Sequence, residues 1–150
     1  MDFTDLLTEK TILLPLDVKT KEECIDKMAE SMVKAGFVKE KPNYIEMVLN
    51  REKTGSTGIG FGVAIPHGKS AGVVTPGLAF ARLSQPIDWQ SLDGNPVSVV
   101  FLIAVPENNV GNEHLQILIA ISRKLMHEDF RNQLMTAQSP KEVINTLQNL

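Results

Sequence analysis

A single cysteine, Cys24, leaves this chain of 150 residues with no disulfide to close within itself. It falls inside an amphipathic helical pattern, where a small buried hydrophobe is the expected role. Positive charge is short as well. The 15 Lys and Arg are outnumbered by 18 Asp and Glu, a formal net charge of -3, so no global positive field exists to hold nucleic acid. Long hydrophobic runs are absent: no apolar stretch approaches the roughly 18 residues of a membrane span, and nothing near Met1 has the basic, apolar and small-residue order of a signal peptide. The expectation is a cytoplasmic protein without direct membrane insertion. No repeat, linker or low-complexity tract divides the chain, and 43% hydrophobic with 22% charged residues fits one domain around one core.

What is present reads as alternating elements. Residues Phe3 to Leu7 predict a short opening helix, and Thr11 to Leu16 (TILLPL) a strand that Pro15 confines to an edge or an end. Thr20 with Glu23 spells a capping box ahead of Cys24, Met28, Ala29, Met32 and Val33, whose spacing predicts a helix stopped by Gly36. Pro42 suits a first helical position, and Tyr44, Ile45, Val48 and Leu49 lay an apolar stripe that runs into Asn50, Arg51 and Glu52. Gly77 to Leu83 and Val97 to Val105 read as strands, separated by a turn at Asp93 to Pro96. The second strand is a nearly unbroken apolar run, as expected where both sheet faces are covered. Helical patterns then follow from Leu115 to Leu125 and around Phe130, Leu134 and Met135. A last helix opens at Ser139, Pro140 and Glu142 through a second capping box. Interleaved helices and strands predict an α/β sandwich, with helices on both faces of one mixed sheet.

The composition changes abruptly between Gly55 and Gly68, where Gly55, Gly58, Gly60, Gly62 and Gly68 alternate with Ser56, Thr57, Ile59 and the triplet Val63, Ala64 and Ile65. Backbone freedom is wanted there rather than side-chain bulk. His67 lies between Pro66 and Gly68, so a residue with fixed φ and one that tolerates close approach present its imidazole at an exposed bend. The bland alternative is a solvated loop histidine. Nucleotide-binding loops fail on spacing. Ile65 stands where a dinucleotide fingerprint needs its third glycine, and Val63 where a P-loop ending in Gly68, Lys69 and Ser70 needs its first. His114 falls in the first turn of a predicted helix, where the macrodipole disfavours imidazolium and keeps the ring neutral, although, taken alone, a histidine packed on its own turn is the better reading. Arg51 offers a planar fork of donors to phosphate oxygens, although, taken alone, a surface arginine paired with Glu52 or another acid is the better reading. His127, beside Glu128 and Asp129, reads as a surface or capping residue.

Taken together, the stretch REKTGSTGIGFGVAIPHGK from Arg51 to Lys69 closely resembles the phosphorylation-site signature of the fructose and mannitol type of enzyme IIA domains. The resemblance includes the acid at Glu52, the pair Ile59 and Gly60, and the closing run from Val63 to Gly68. A second block, GNEHLQILIAISRKL from Gly111 to Leu125, is similar to the segment that carries the family's second active-site histidine. The resemblance covers residues 1–150 as one domain. It implies that His67 is phosphorylated, that His114 orients or stabilises it, and that Arg51 is the nearby positive group. It implies further that phosphate arrives from the phosphocarrier protein HPr and leaves to enzyme IIB, which serves a membrane enzyme IIC in the uptake of fructose or a related sugar. No cofactor and no metal are expected. A related branch, the nitrogen-related regulatory enzyme IIA, carries the same signature with a different output. A metal hydrolase using His67, His114 and Glu113 is a distant alternative, because no H-E-x-x-H or comparable local spacing exists.

Overall fold

The computed structural model describes residues 5–109 and 111–148, with the side chains of residues 113 and 114 outside that description. A 3-10 turn at Glu9–Thr11 leads into β1 (Ile12–Leu16), α1 (Lys21–Lys34) and α2 (Lys41–Thr54). Three short strands follow, β2 (Gly58–Gly60), β3 (Val63–Ala64) and β4 (His67–Ser70), then two long ones, β5 (Gly77–Ile87) and β6 (Val97–Pro106). Helices α3 (Glu113–Lys124), α4 (Glu128–Thr136) and α5 (Pro140–Gln148) complete the fold. The expected opening helix from Phe3 falls partly outside the described residues, although Leu6 and Leu7 are buried.

Strand β6 is central. One edge pairs antiparallel with β5, and β1 lies parallel outside β5; the other edge pairs parallel with β3 and then with β4, while β2 returns antiparallel beside β3. Pro15 therefore sits on an edge strand, where a missing N–H costs no ladder bond. Side chains alternate across β6. Val100, Leu102 and Ala104 join the cluster of Ile25, Met28, Met32, Tyr44 and Val48 from α1 and α2. Val99, Phe101, Ile103 and Val105 meet Ile117, Ile121, Leu134 and Val143 from α3, α4 and α5. The unbroken apolar run is thus the signature of a strand buried on both faces, and the expected mixed-sheet sandwich is what forms.

Both predicted capping boxes form only in part. Thr20 Oγ1 accepts the Glu23 N–H at 3.1 Å, but Glu23 Oε1 accepts the N–H of Lys19 at 2.9 Å rather than that of Thr20. Ser139 Oγ likewise accepts the Glu142 N–H at 3.3 Å, while Glu142 Oε2 accepts from Gln138. In each case the carboxylate reaches one residue further out and satisfies the N–H that precedes the cap. Pro42 is the second helical residue rather than the first, a position whose N–H has no helical partner either. Cys24 is fully buried, as its helical spacing required.

Candidate functional site

His67 does not stand in a loop. It opens β4, its backbone is paired with Ile103 of β6, and its ring is half-buried. Strands β3 and β4 occupy the same edge of β6 in continuous register, Val63 opposite Val99, Ala64 opposite Val100 and His67 opposite Ile103. They are one strand interrupted at Ile65 and Pro66. Proline supplies no N–H to the ladder, but its carbonyl still accepts the Ile103 N–H at 3.0 Å, so register survives the break. The bend expected from the sequence is this interruption, and it leaves His67 with the rigidity of a sheet.

Register also fixes the face. In a parallel pair, side chains at matched positions point to the same side, so His67 and Lys69 share the side of Ile103 and Val105, which α3 to α5 cover. Gly68 faces the other way, toward α2. A Cβ built on it would lie 2.8 Å from Val48 Cγ2 and 3.1 Å from Val48 N, so a side chain here collides with the helix. The glycine after His67 thus serves the approach of α2 to β4.

That approach brings Arg51 to the same end of the strand. The N–H groups of Lys39 and Glu40 donate to Gly72 O at 2.8 and 3.2 Å, and Val48 lies against Gly68, so α2 runs antiparallel to β4. Arg51, one turn beyond Val48, lies toward the end at which His67 begins. Its Nη1 donates to the carbonyl of Gly55, the C-cap, at 2.8 Å and to the Thr54 hydroxyl at 3.2 Å, which ties the guanidinium to the C-terminal end of its own helix. The alternative in which Arg51 pairs with Glu52 is not what Glu52 makes. Glu52 turns inward, with Oε2 3.8 Å from Lys21 Nζ. Its carboxylate accepts from the hydroxyl of Thr57, from Thr57 N–H at 3.4 Å and from Trp89 Nε1 at 3.4 Å. A buried carboxylate is tolerated only with such a set of donors.

His114 occupies the first turn of α3, as expected, and α3 packs on the face that His67 shares; its side chain and that of Glu113 lie outside the described residues. Lys69 Nζ donates to Asn109 O at 3.0 Å, joining β4 to the segment that leads into α3. Among the described residues no group of three His, Cys, Asp or Glu side chains is gathered closely enough to hold a metal ion. His127 is exposed at the start of α4 and makes no side-chain cap. Of the apolar residues in the glycine-rich stretch before His67, Val63 is in the core, Ile59 is half-buried and Phe61 is exposed. Phe61 forms the tip between β2 and β3 at φ 60°, with the Arg131 guanidinium 4.5 Å from its ring centroid. Sequence reading gave no site role to Thr57, Trp89, Lys21 or Lys69. Trp89 alone carried a signal, as the one tryptophan in the chain.

The Nδ1 atom of His67 lies 3.1 Å from Ile65 O. A carbonyl oxygen only accepts, so this contact requires a proton on Nδ1 and leaves the lone pair of a neutral ring on Nε2. The site therefore presents an imidazole with its Nδ1 atom fixed by the backbone two residues earlier. In chemical terms it is an imidazole with a specified tautomer, on the sheet face that α3 to α5 cover and at the end of β4 toward which Arg51 lies on the other face.

Comparison with known proteins gives a consistent result. Residues 5–150 match the family described as Phosphoenolpyruvate-dependent sugar phosphotransferase system, EIIA 2. The chain is 44% identical over 147 residues to the PTS system fructose-specific EIIABC component of Bacillus subtilis, covering 98% of this chain but only 23% of that larger protein. It is 40% identical to the PTS system fructose-specific EIIA component of Haloferax volcanii, covering 98% of this chain and 97% of the relative. Among solved structures, the nitrogen regulatory protein IIA-Ntr of Neisseria meningitidis superposes with a TM-score of 0.87 at 35% identity, covering 95% of this chain and 97% of that one.

Proposed function

This chain belongs to the EIIA 2 family of the phosphoenolpyruvate-dependent sugar phosphotransferase system, and from that premise we propose that it carries phosphate on His67, from HPr to an enzyme IIB in the cytoplasm. Residues 1–150 would act as one domain, and the destination of the phosphate would be fructose or a related sugar entering through an enzyme IIC. The single observation that carries the proposal is the contact between His67 Nδ1 and Ile65 O, which supports Nε2 as the nucleophile.

The transfer balances simply. Nε2 of neutral His67 attacks the phosphorus of the donor's phosphoramidate; the new N–P bond forms as the donor's N–P bond breaks, and the donor nitrogen keeps the electron pair. Phosphoryl transfer passes through a loose, nearly in-line transition state, so the protein's task is placement and stabilisation of the equatorial oxygens. Arg51 supplies fixed positive charge at that end of β4. His114, in the first turn of α3, is assigned the role of orienting the phosphate. Exchange of one phosphoramidate for another requires no cofactor and no metal.

Relatives named for fructose, at 44% and 40% identity, support the sugar-uptake branch. The second reading, a regulatory IIA acting by phosphorylation-dependent partner binding, draws on the likeness to the Neisseria meningitidis nitrogen regulatory protein at 35% identity. The test is labelling from phosphoenolpyruvate with enzyme I and HPr. His67→Ala should abolish incorporation, and an equally labelled mutant refutes the assignment. His114→Ala should accept phosphate yet pass it to enzyme IIB slowly; onward transfer at the normal rate removes His114 from the mechanism.

A further inference from the structure

A line of hydrogen bonds runs behind His67 from a buried acid. The carboxylate of Glu52 accepts from both the hydroxyl and the N–H of Thr57. The carbonyl of Thr57 accepts the Ile65 N–H at 3.0 Å, and the carbonyl of Ile65 lies 3.1 Å from His67 Nδ1. We propose that Glu52 is a positioning residue that acts through Thr57 and Ile65 to hold the His67 imidazole as the Nδ1–H tautomer. The proposal deepens the reading of His67 as the phosphate acceptor and rests on it.

The break between β3 and β4 is why such a residue is needed. Ile65 and Pro66 lie between two paired stretches, and the peptide that carries the Ile65 carbonyl ends in a proline nitrogen with no hydrogen to pin it. The segment is held instead by the Ile65 N–H on Thr57. Thr57 belongs to the glycine-rich stretch before β2, whose backbone is free to take many conformations. Ser56 Oγ anchors that stretch, donating to Trp89 O at 2.7 Å and accepting the Gly58 N–H at 3.0 Å, and the acid holds Thr57 itself: Thr57 offers Glu52 two donors, and the Trp89 indole N–H reaches Glu52 Oε1 at 3.4 Å and Thr57 Oγ1 at 3.1 Å. Lys21, from the start of α1, completes the set at 3.8 Å. An apolar side chain would fill this buried corner without the cost of desolvating a charge. It would not, however, fix the direction of Thr57. Hydrogen bonds in sequence polarise one another in a water-poor setting, so the charge at one end strengthens the hold at the other.

Substituting Glu52→Gln keeps the shape and places an amide N–H₂ among donors. Thr57→Val removes the hydroxyl and keeps both main-chain bonds, which provides a milder second variant if the first folds poorly. The readout is the His67 ring in ¹⁵N-labelled, unphosphorylated protein, where Nδ1–H and Nε2–H tautomers have distinct nitrogen shifts. The wild type should be predominantly Nδ1–H. Both variants should show a mixed population, and initial phosphorylation by HPr should slow roughly tenfold in Glu52→Gln at an unchanged KM for phospho-HPr, as expected for one lost positioning bond. A wild-type tautomer ratio in either folded variant overturns the proposal, whatever the change in melting temperature. Because the tautomer is read without phosphate, this outcome is separate from failure of the acceptor assignment, which label on His67→Ala would reveal.

Discussion

Gly68→Ala tests the packing on which the site depends. The added Cβ would meet Val48 Cγ2 at 2.8 Å, Val48 N at 3.1 Å and Tyr44 Cε1 at 3.4 Å, against the ~3.5–4.0 Å of an optimal carbon contact. Rotation of Val48 offers little relief, because a β-branched side chain in a helix has one strongly preferred χ1. The main-chain nitrogen moves only if α2 moves. Overpacking of this kind costs about 1–3 kcal/mol. For a chain of this size the cost lowers Tm by roughly 2–12 °C. The displacement continues one turn along α2 to Arg51, so phosphorylation at His67 should slow as well. Urea unfolding followed by the fluorescence of Trp89, the single and fully buried tryptophan, measures the first effect, and initial labelling rates measure the second. An alanine variant with the wild-type urea midpoint and labelling rate would show that α2 does not approach β4 as closely as described, and the placement of Arg51 would lose its basis.

Cys24 and Tyr44 give the remaining expectations. Burial, with a smaller contribution from the charge of Glu23, raises the Cys24 thiol from 9.0 to about 12. The folded state thus holds this proton longer than the unfolded chain. Its contribution to stability is complete below about 9 and is lost as pH rises toward about 12, at ~1.4 kcal/mol per pH unit. Urea midpoints between pH 8 and 11 should therefore fall less steeply in Cys24→Ala than in the wild type; equal slopes would contradict the burial. Tyr44 is fully buried and its hydroxyl donates to Ile103 O at 2.7 Å, on the residue paired with His67. Tyr44→Phe should destabilise by about 1 kcal/mol, measured by the same unfolding curves, and no loss would mean that the Ile103 carbonyl finds a replacement partner.

The long elements were legible because their signals are local. α1 shows its buried stripe in Cys24, Met28 and Met32, and β6 shows two covered faces in one apolar run. β2, β3 and β4 were not legible as strands. They have three, two and four residues, and β4 reads His67, Gly68, Lys69 and Ser70, without a single β-branched or apolar side chain. These residues are strands because β6 lies beside them, and a propensity argument has no access to that neighbour. β5 extends to Ile87, beyond the expected end at Leu83, for a related reason: its outer part pairs Ile87 with Val97 after a register shift.

The candidate site divides along the same line. His67 drew attention by its flanking residues, and His114 and Arg51 through the resemblance of their segments to the family's blocks, whereas the support of His67 joins Lys21, Glu52, Thr57 and Trp89 across 69 positions of the chain. Glu52 next to Arg51 invited a surface ion pair, and only the inward turn of one side chain separates that reading from a buried anchor. The mechanical role of Pro66 was similarly hidden. A histidine in an open loop has its tautomer set by solvent, and one in an uninterrupted strand is flanked by carbonyls committed to neighbouring strands. At the break after β3, the Ile65 carbonyl can serve Nδ1 while the Pro66 carbonyl keeps His67 in register with Ile103. A single missing N–H thereby separates holding the backbone from directing the ring, which is what the proposed in-line attack of a His67 nitrogen on phosphorus requires.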